Sequence, residues 1–321
     1  MNKVVIFLFI LTVLFAPAAF AACPDLAGHF HQALKVEDIG RADVVFREMR
    51  DSFSCEAEER KIAKYALSDA KALRLEGDLY QMQVNGVDRL VALAQNRSDL
   101  EQSLHPAKGW RALVLNGELA HYEGSHGKAA RMFCRASDIL NNKLLVPKLP
   151  KAERLAEIKR LAQQSDLLAK AGEDCNFVSR NISRAFKINS VIPPITFKYN
   201  SVHLTQKGIR AVSKIKSWLD DKPEVSIHGH TDPQGSDSFN DDLSYRRAER
   251  IAKLLTEQGY RGIIKSYGHG ERKPLRIENR SYFSQQDLCQ MQRRVEIQIG
   301  GQVQNPLNYD EKQSYKNLSC S

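Results

Sequence analysis

The sequence predicts an α+β chain in which an all-α array of helical hairpins precedes an α/β sandwich of helices packed on a sheet. Three observations predict this. From Pro24 to about Gly172, apolar residues recur at three- and four-residue spacing and strand-like alternation is scarce. Val191-Ile192-Pro193-Pro194 then forms a short, stiff junction, because adjacent prolines join neither a helix nor a central strand. Beyond it, short alternating runs interleave with helical ones.

The first element is a leader. Lys3 supplies a small positive region, and Val4 to Phe15 is apolar apart from Thr12. Pro17 breaks the run, and Ala19-Phe20-Ala21 has the small-x-small form of a cleavage site, so residues 1–21 read as a secretory signal peptide. Two other readings compete: an uncleaved anchor over Val4–Ala22, and a loose lipobox, Phe20-Ala21-Ala22-Cys23, that would acylate Cys23. Cleavage before Ala22 leaves 300 residues, enough for two domains, and moves the net charge from +9 to +8. No later run is long enough to cross a membrane, so the mature chain is expected to be soluble or peripheral.

Cys23, Cys55, Cys134, Cys175, Cys289 and Cys320 all follow the leader. An even count in an exported chain suggests disulfides, and six cysteines allow about fifteen pairings. The sequential pairing would close three local loops. Acylation of Cys23 would leave an odd thiol. No CxxC is present, which argues against zinc and thioredoxin-like redox chemistry.

Residues 22–190 form the helical region. Its clearest hairpin is Trp110 to Asn141, where Gly117, Gly124, Ala129, Phe133 and Ala136 provide small residues and one large plug. This spacing resembles a tetratricopeptide repeat, with Leu113 where Trp is usual. Ala33, Ala42 and Phe46 form a weaker echo, but the region does not tile at the period of about 34 residues, and an irregular helical bundle is the competing reading. Pro147 and Pro150 precede a long amphipathic helix bearing Leu155, Ile158, Leu161, Ala162 and Leu168, with Gly172 as its stop.

After the linker at 191–194, Ile195 to Phe197 is strand-like. Lys207 to Leu219 is helical, with Ile209, Val212, Ile215 and Leu219 on one side. Glu224 to His230 alternates, with Val225, Ile227 and Gly229 on one face. Ala248 to Leu255 is helical and ends at Gly259; Ser244 is read as its cap, with Arg247 in the first turn. Ile263 to Tyr267 is a short strand, and Arg294 to Ile299 alternates. Residues 301–321 are a tail.

The segment HGHTDPQGSDSFNDDLSYRRAER, His228 to Arg250, crowds acids, amides and arginines around a glycine-broken loop. Its motifs are Gly229-His230-Thr231-Asp232, Gly235-Ser236 and Asn240-x-x-Leu243-Ser244-x-x-Arg247-Ala248. Downstream stand Tyr267-Gly268-x-Gly270-Glu271-x-x-Pro274 and Arg293-Arg294-Val295-Glu296-Ile297. In order and spacing, residues 195–300 resemble the OmpA-like peptidoglycan-binding domain, the C-terminal family of outer membrane protein A. Two departures stand out: Gln292 replaces the usual Asn, and Arg276 to Gln292, which carries Cys289, is idiosyncratic.

The resemblance implies binding rather than catalysis, with diaminopimelate of the peptidoglycan stem peptide as ligand. Its free end carries an ammonium and a carboxylate. Asp232 is expected to take the ammonium and Arg247 the carboxylate. Arg247 at a helix N-terminus would oppose the helix dipole, at roughly 0.3–1 kcal/mol, unless a ligand anion joined it. The bland alternative is that Asp232 and Arg247 pair with each other to pin the loop. Thr231 and Asn240 are expected to shape the loop, with Asn240 able to touch ligand too. Arg294 is expected in the same pocket, and Leu243 in the core.

Other chemistries find little support. His228 and His230 share a strand face, but no third ligand stands at a metal-binding spacing. His29 and His31 do not share a helical face. No P-loop, HExxH or nucleophile elbow is present, and nothing places two carboxylates for glycoside hydrolysis. Asp241-Asp242 reads as a solvated loop edge. Aromatics do not interleave with the basic residues, so nucleic acid is not an expected partner. The Asn-x-Ser sequons at Asn96, Asn181, Asn279 and Asn317 are discounted for a bacterial chain.

The expectation is a non-enzymatic, periplasmic, cell-wall-associated protein with no cofactor or metal. It would hold peptidoglycan and carry a protein partner on its helices. It would be peripheral to the outer membrane, or lipid-anchored if Cys23 is acylated. The rivals are a subunit of a secretion or motility machine and a wall-modifying enzyme with its active site in residues 22–175.

Overall fold

The structure is a computed structural model that describes residues 22–170, 190–191, 193, 195–198, 200–277, 279–300, 315 and 318–320. The expected leader, the Gly172 stop, Cys175 and most of the tail lie outside the described residues. The chain is α+β: helices come first, and a small sheet with its helices follows. Contacts divide it into two compact units, residues 1–67 and 68–321.

In the first unit, α1 (Cys23–Lys35) and α2 (Ile39–Asp51) form a hairpin. The turn needs a positive φ at Glu37, and the Asp38 carboxylate caps α2 by accepting from Arg41 N at 2.9 Å. Leu26, Phe30 and Ala33 bury against Ala42, Val45, Phe46 and Met49. A disulfide joins Cys23 to Cys55. In that state the Cys23 sulfur carries no acyl group, so the disulfide and the lipobox reading exclude one another.

The long helix α3 (Ala57–Val84) begins in the first unit and continues into the second. There α4 (Arg89–Gln95) and α5 (Arg97–Ser103) lead into α6 (Trp110–Tyr122) and α7 (His126–Leu140). The expected hairpin is present. A Cβ on Gly117 would stand 3.2 Å from the Phe133 ring, so the small residue admits the large plug. Next comes α8 (Ala152–Leu168), which buries Ile158, Leu161 and Ala162.

Within the same unit a four-stranded sheet runs in the order β1-β4-β2-β3: β1 (Ser190–Val191), β2 (Glu224–Gly229), β3 (Ile263–Gly268) and β4 (Val295–Ile299). β2 and β3 are parallel, which requires a crossover helix, while β4 pairs antiparallel with β1 and β2. β1 therefore falls partly on the expected linker. Ile195–Phe197, expected as a strand, contributes only the isolated bridge Phe197–Leu204. Among the described residues three α-helices lie between strands: α9 (Gln206–Leu219) before β2, α10 (Asp237–Glu257) before β3 and α11 (Gln285–Gln292) before β4.

The alternation of β2 and β4 sends Val225, Ile227, Val295 and Ile297 into one core with Val212, Ile215, Trp218, Ala248, Ile251 and Leu255. Ile209, expected on that face, is 45% exposed; Ala211 and Trp218 fill the buried side of α9 instead. The opposite sheet face is also buried, although its residues are polar: Ser226, His228, Glu296 and Gln298.

α10 starts eleven residues before the helix expected at Ala248. Ser236 is its cap, accepting from Phe239 N at 3.2 Å. Ser244 is thus inside the helix, and its hydroxyl donates to Asp241 O and accepts from Gly270 N at 2.9 Å. Asp241 and Asp242 are helical rather than a loop edge, and they pair with Arg272 and Arg246.

The idiosyncratic segment from Arg276 to Gln292 holds helix to sheet. Gln164 Nε2 donates to Arg276 O at 3.3 Å, and Gln290 Nε2 to Leu167 O at 3.0 Å. Asn279 donates to the Tyr122 hydroxyl, whose ring meets Tyr282 edge-on at 4.8 Å. Lys207 places its ammonium on Asp166 O at 2.6 Å and Ala169 O at 2.5 Å, at the C-terminal end of α8 where a cation is favoured. Cys289 is bridged to Cys320. Cys134 is also disulfide-bonded.

The packing of α10 on the sheet depends on glycine. A Cβ on Gly229 would sit 2.0 Å from Ser244 O, and one on Gly268 would sit 2.6 Å from Tyr245 N. Both obstacles are helix backbone, which cannot rotate away. Gly229→Ala is expected to destabilise the second unit by about 3 kcal/mol, the upper end of the usual cost of overpacking, read as a lower denaturant midpoint. An unchanged midpoint would mean that the helix can lift from β2 freely.

Candidate functional site

β2 ends at Gly229, and the chain continues through His230, Thr231 and Asp232 beneath the N-terminal half of α10. Three backbone bonds set this exit: His230 N to Arg294 O, Thr231 N to Gly270 O and His269 N to Gly229 O, each 3.0 Å. Asp232 follows directly and is 6% exposed. Its Oδ1 accepts from Gln234 N at 3.1 Å and its Oδ2 from Arg293 Nη1 at 2.7 Å.

Arg247 lies near the middle of α10 and is 3% exposed. Its Nε donates to Ser201 O at 3.1 Å, and its guanidinium lies over the Phe197 ring, 5.0 Å from the centroid. Among the described residues no carboxylate forms an ion pair with it. Burial pulls its pKa down to about 10; the nearby Arg293 adds to that, and Asp232 opposes it. The expected penalty on Arg247 is therefore real, but its cause is burial beside another cation, not a helix N-terminus. Asp232 and Arg247 do not pin each other: the acid pairs with Arg293.

The two residues nonetheless face one cavity of 160 Å³, whose lining includes Thr231, Asp232, Asn240, Leu243, Arg247 and Arg293. Asn240 is 1% exposed, and its side chain donates to Glu271 at 3.0 Å. Leu243 is buried on this cavity wall. The Thr231 hydroxyl oxygen is buried and makes no hydrogen bond among the described residues. A buried hydroxyl left this way is costly unless something else bonds it.

Arg294 lies elsewhere. Its side chain is fully buried on the opposite sheet face, bonded to Glu296 at 2.8 Å and to Lys273 O at 2.9 Å. The residue at the cavity is its neighbour Arg293, which is not among the expected site residues. Parity could have found it. Arg293 shares the alternation of Val295 and Ile297, the face on which α10 packs, whereas Arg294 shares that of Glu296.

The other sheet face gathers His228, His230 and His269. His228 Nδ1 lies 2.8 Å from His269 Nε2, and the two rings stack at 5.1 Å. His230 Nε2 is 3.6 Å from Glu296 Oε1. Burial lowers all three, His228 to about 4 despite Glu296, and His269 to about 3 with help from Lys273. His269 is the third histidine that spacing did not reveal, because β3 brings it alongside. Among the described residues the three do not converge on a metal-ligand geometry.

This is a sheet-and-helix domain that holds, around one small cavity, an acid and a buried arginine with no ion pair among the described residues. Residues 196–282 match the OmpA family. Outer membrane protein A of Shimwellia blattae is 32% identical over 116 residues, 33% of this chain and 48% of that protein. Outer membrane porin F of Pseudomonas fluorescens is 35% identical over 81 residues, 25% of this chain and 23% of that protein. The chain thus spans less than half the length of these relatives. Among solved structures, it is similar to the OmpA-like domain of FopA1 from Francisella tularensis (21% identity, TM-score 0.28, covering 33% of this chain and 68% of that one). It is also similar to an outer membrane protein of Borrelia burgdorferi (25% identity, TM-score 0.25, covering 34% and 85%).

The histidine cluster gives a signed pH dependence. Its folded pKa values lie below the ordinary value of 6.5, so the unfolded chain takes up protons first as pH falls. Their contribution is complete above pH 6.5 and is lost on descending towards pH 4. Stability should fall between pH 7 and pH 4 by on the order of 2 kcal/mol, the half-exposed His269 adding little because solvent screens it, and His228→Gln should flatten that fall. Equal slopes for both proteins would refute the assignment.

Proposed function

We propose that the C-terminal domain binds peptidoglycan noncovalently and holds the chain at the cell wall. The ligand group is the diaminopimelate of the stem peptide, a zwitterionic end with one ammonium and one carboxylate. The observation that carries this reading is Arg247, a cation kept almost fully buried with no acid of its own. A buried cation is expensive unless paired, and a ligand carboxylate would restore the pairing. Asp232 keeps acceptor capacity beside its bonds to Arg293 and Gln234, since a carboxylate offers about four lone-pair sites, and can accept the ammonium. Thr231 offers its hydroxyl, Asn240 holds the loop through Glu271, and Arg293 takes the role expected of Arg294.

Such a site binds without reacting. The domain works as an anchor in the periplasm, peripheral to the outer membrane, and the helices carry a protein partner. A stripe on α3 supports that last element: Leu73, Tyr80 and Val84 lie seven and four residues apart and are 51%, 62% and 62% exposed.

Cosedimentation of the full chain with diaminopimelate-containing sacculi tests the site. Asp232→Ala and Arg247→Met should each weaken binding at least about 30-fold, the loss expected for one partner of a buried charge pair. Arg247→Met should at the same time melt no lower than the parent, because it removes an unpaired buried charge. Two variants that bind like the parent would sink the assignment; a large drop in melting temperature for Arg247→Met would make Arg247 a structural residue.

A further inference from the structure

A second, larger cavity of 490 Å³ adjoins the first and shares Arg247 and Arg293 with it. Its wall combines Phe197 and Lys198 on the loop before α9, Gln206 and Lys207 on α9, Ala169 after α8, and Gln290 on α11. Among the described residues, four of those that line it are basic and none is acidic. Lys207 is already engaged with the carbonyls of Asp166 and Ala169. Arg293 is shared with Asp232, and Arg247 with the smaller cavity, which leaves Lys198 as the cation turned to this cavity alone. A concave surface of one charge sign, with low-dielectric walls, concentrates the opposite charge.

We infer that this cavity is a second subsite of the wall-binding site, taking a carboxylate of the stem peptide beyond the diaminopimelate. The inference rests on the wall-binding reading above and extends it. Diaminopimelate alone suits the smaller cavity, and the stem peptide must leave that cavity in some direction. The shared residues Arg247 and Arg293 make this the basic exit. Two walls of the subsite, Ala169 and Gln290, come from the end of α8 and from the idiosyncratic segment that bonds to it. The helical region therefore shapes ligand preference, as well as riding on the anchor.

The full chain is titrated by calorimetry with two probes, free diaminopimelic acid and a diaminopimelate-containing stem tetrapeptide. Two variants add negative charge to the subsite alone. Lys198→Glu changes an exposed side chain. Gln206→Glu adds an acid in the first turn of α9, where the helix dipole tolerates it. Each should weaken the tetrapeptide at least five-fold and change free diaminopimelic acid less than two-fold, with the tetrapeptide effect shrinking as salt rises. Parental affinity for the tetrapeptide, or an equal loss on both probes, would overturn the subsite. Asp232→Ala separates the two levels: it should abolish both probes. If it leaves both bound, the wall-site reading fails and the subsite fails with it.

Discussion

The structure turns on the closeness of α10 to the ends of β2 and β3. Only glycine at 229 and 268 lets the helix backbone descend onto the strands, with Ser244 and Tyr245 at the points of contact. That descent brings Arg247, one turn further along the helix, down beside the strand exit that carries Asp232. It also lets the Ser244 hydroxyl accept from Gly270 N, tying the β3 exit to the same helix. Fold and site are thus one arrangement, since separating helix from sheet by one methyl group would part the two charges.

Around that contact the charges are sorted by sheet face. On the helical face Asp232, Arg293 and Arg247 stay close to a cavity, with one cation left over. On the other face Arg294 and Glu296 neutralise each other in full burial, next to histidines kept neutral by desolvation. A paired buried charge specifies structure, and an unpaired one invites a partner. The docking of α8 through Lys207, Gln164 and Gln290 then fixes the loop and helix that wall the larger cavity.

Much of this was legible in the sequence. Alternation in Glu224–His230 and Arg294–Ile299 gave both central strands, and the separated glycine, acid and arginine motifs pointed to the cavity. What was not legible follows from tertiary contact. Ser244 looked like a cap because Ser caps helices, yet Ser236 caps this one and Ser244 turns to Gly270. Arg293 and Arg294 differ only in strand parity, and Arg293 precedes the strand, so local pattern does not say which of them meets the cavity. His269 joined His228 through pairing of β2 with β3, a register no local spacing displays. The role of Arg276–Gln292 was hidden because its partners lie more than a hundred residues away.

The central claim is that the cavity reads both charges of one zwitterionic end. The most direct measurement compares two stem peptides that differ only there, one with diaminopimelate and one with lysine, which keeps the ammonium and lacks the second carboxylate. Titrated against the full chain at one salt concentration, the lysine peptide should bind at least about 30-fold more weakly, the loss expected when Arg247 has no anion. Equal affinities would contradict the account, because Arg247 would then be buried for some reason other than the ligand.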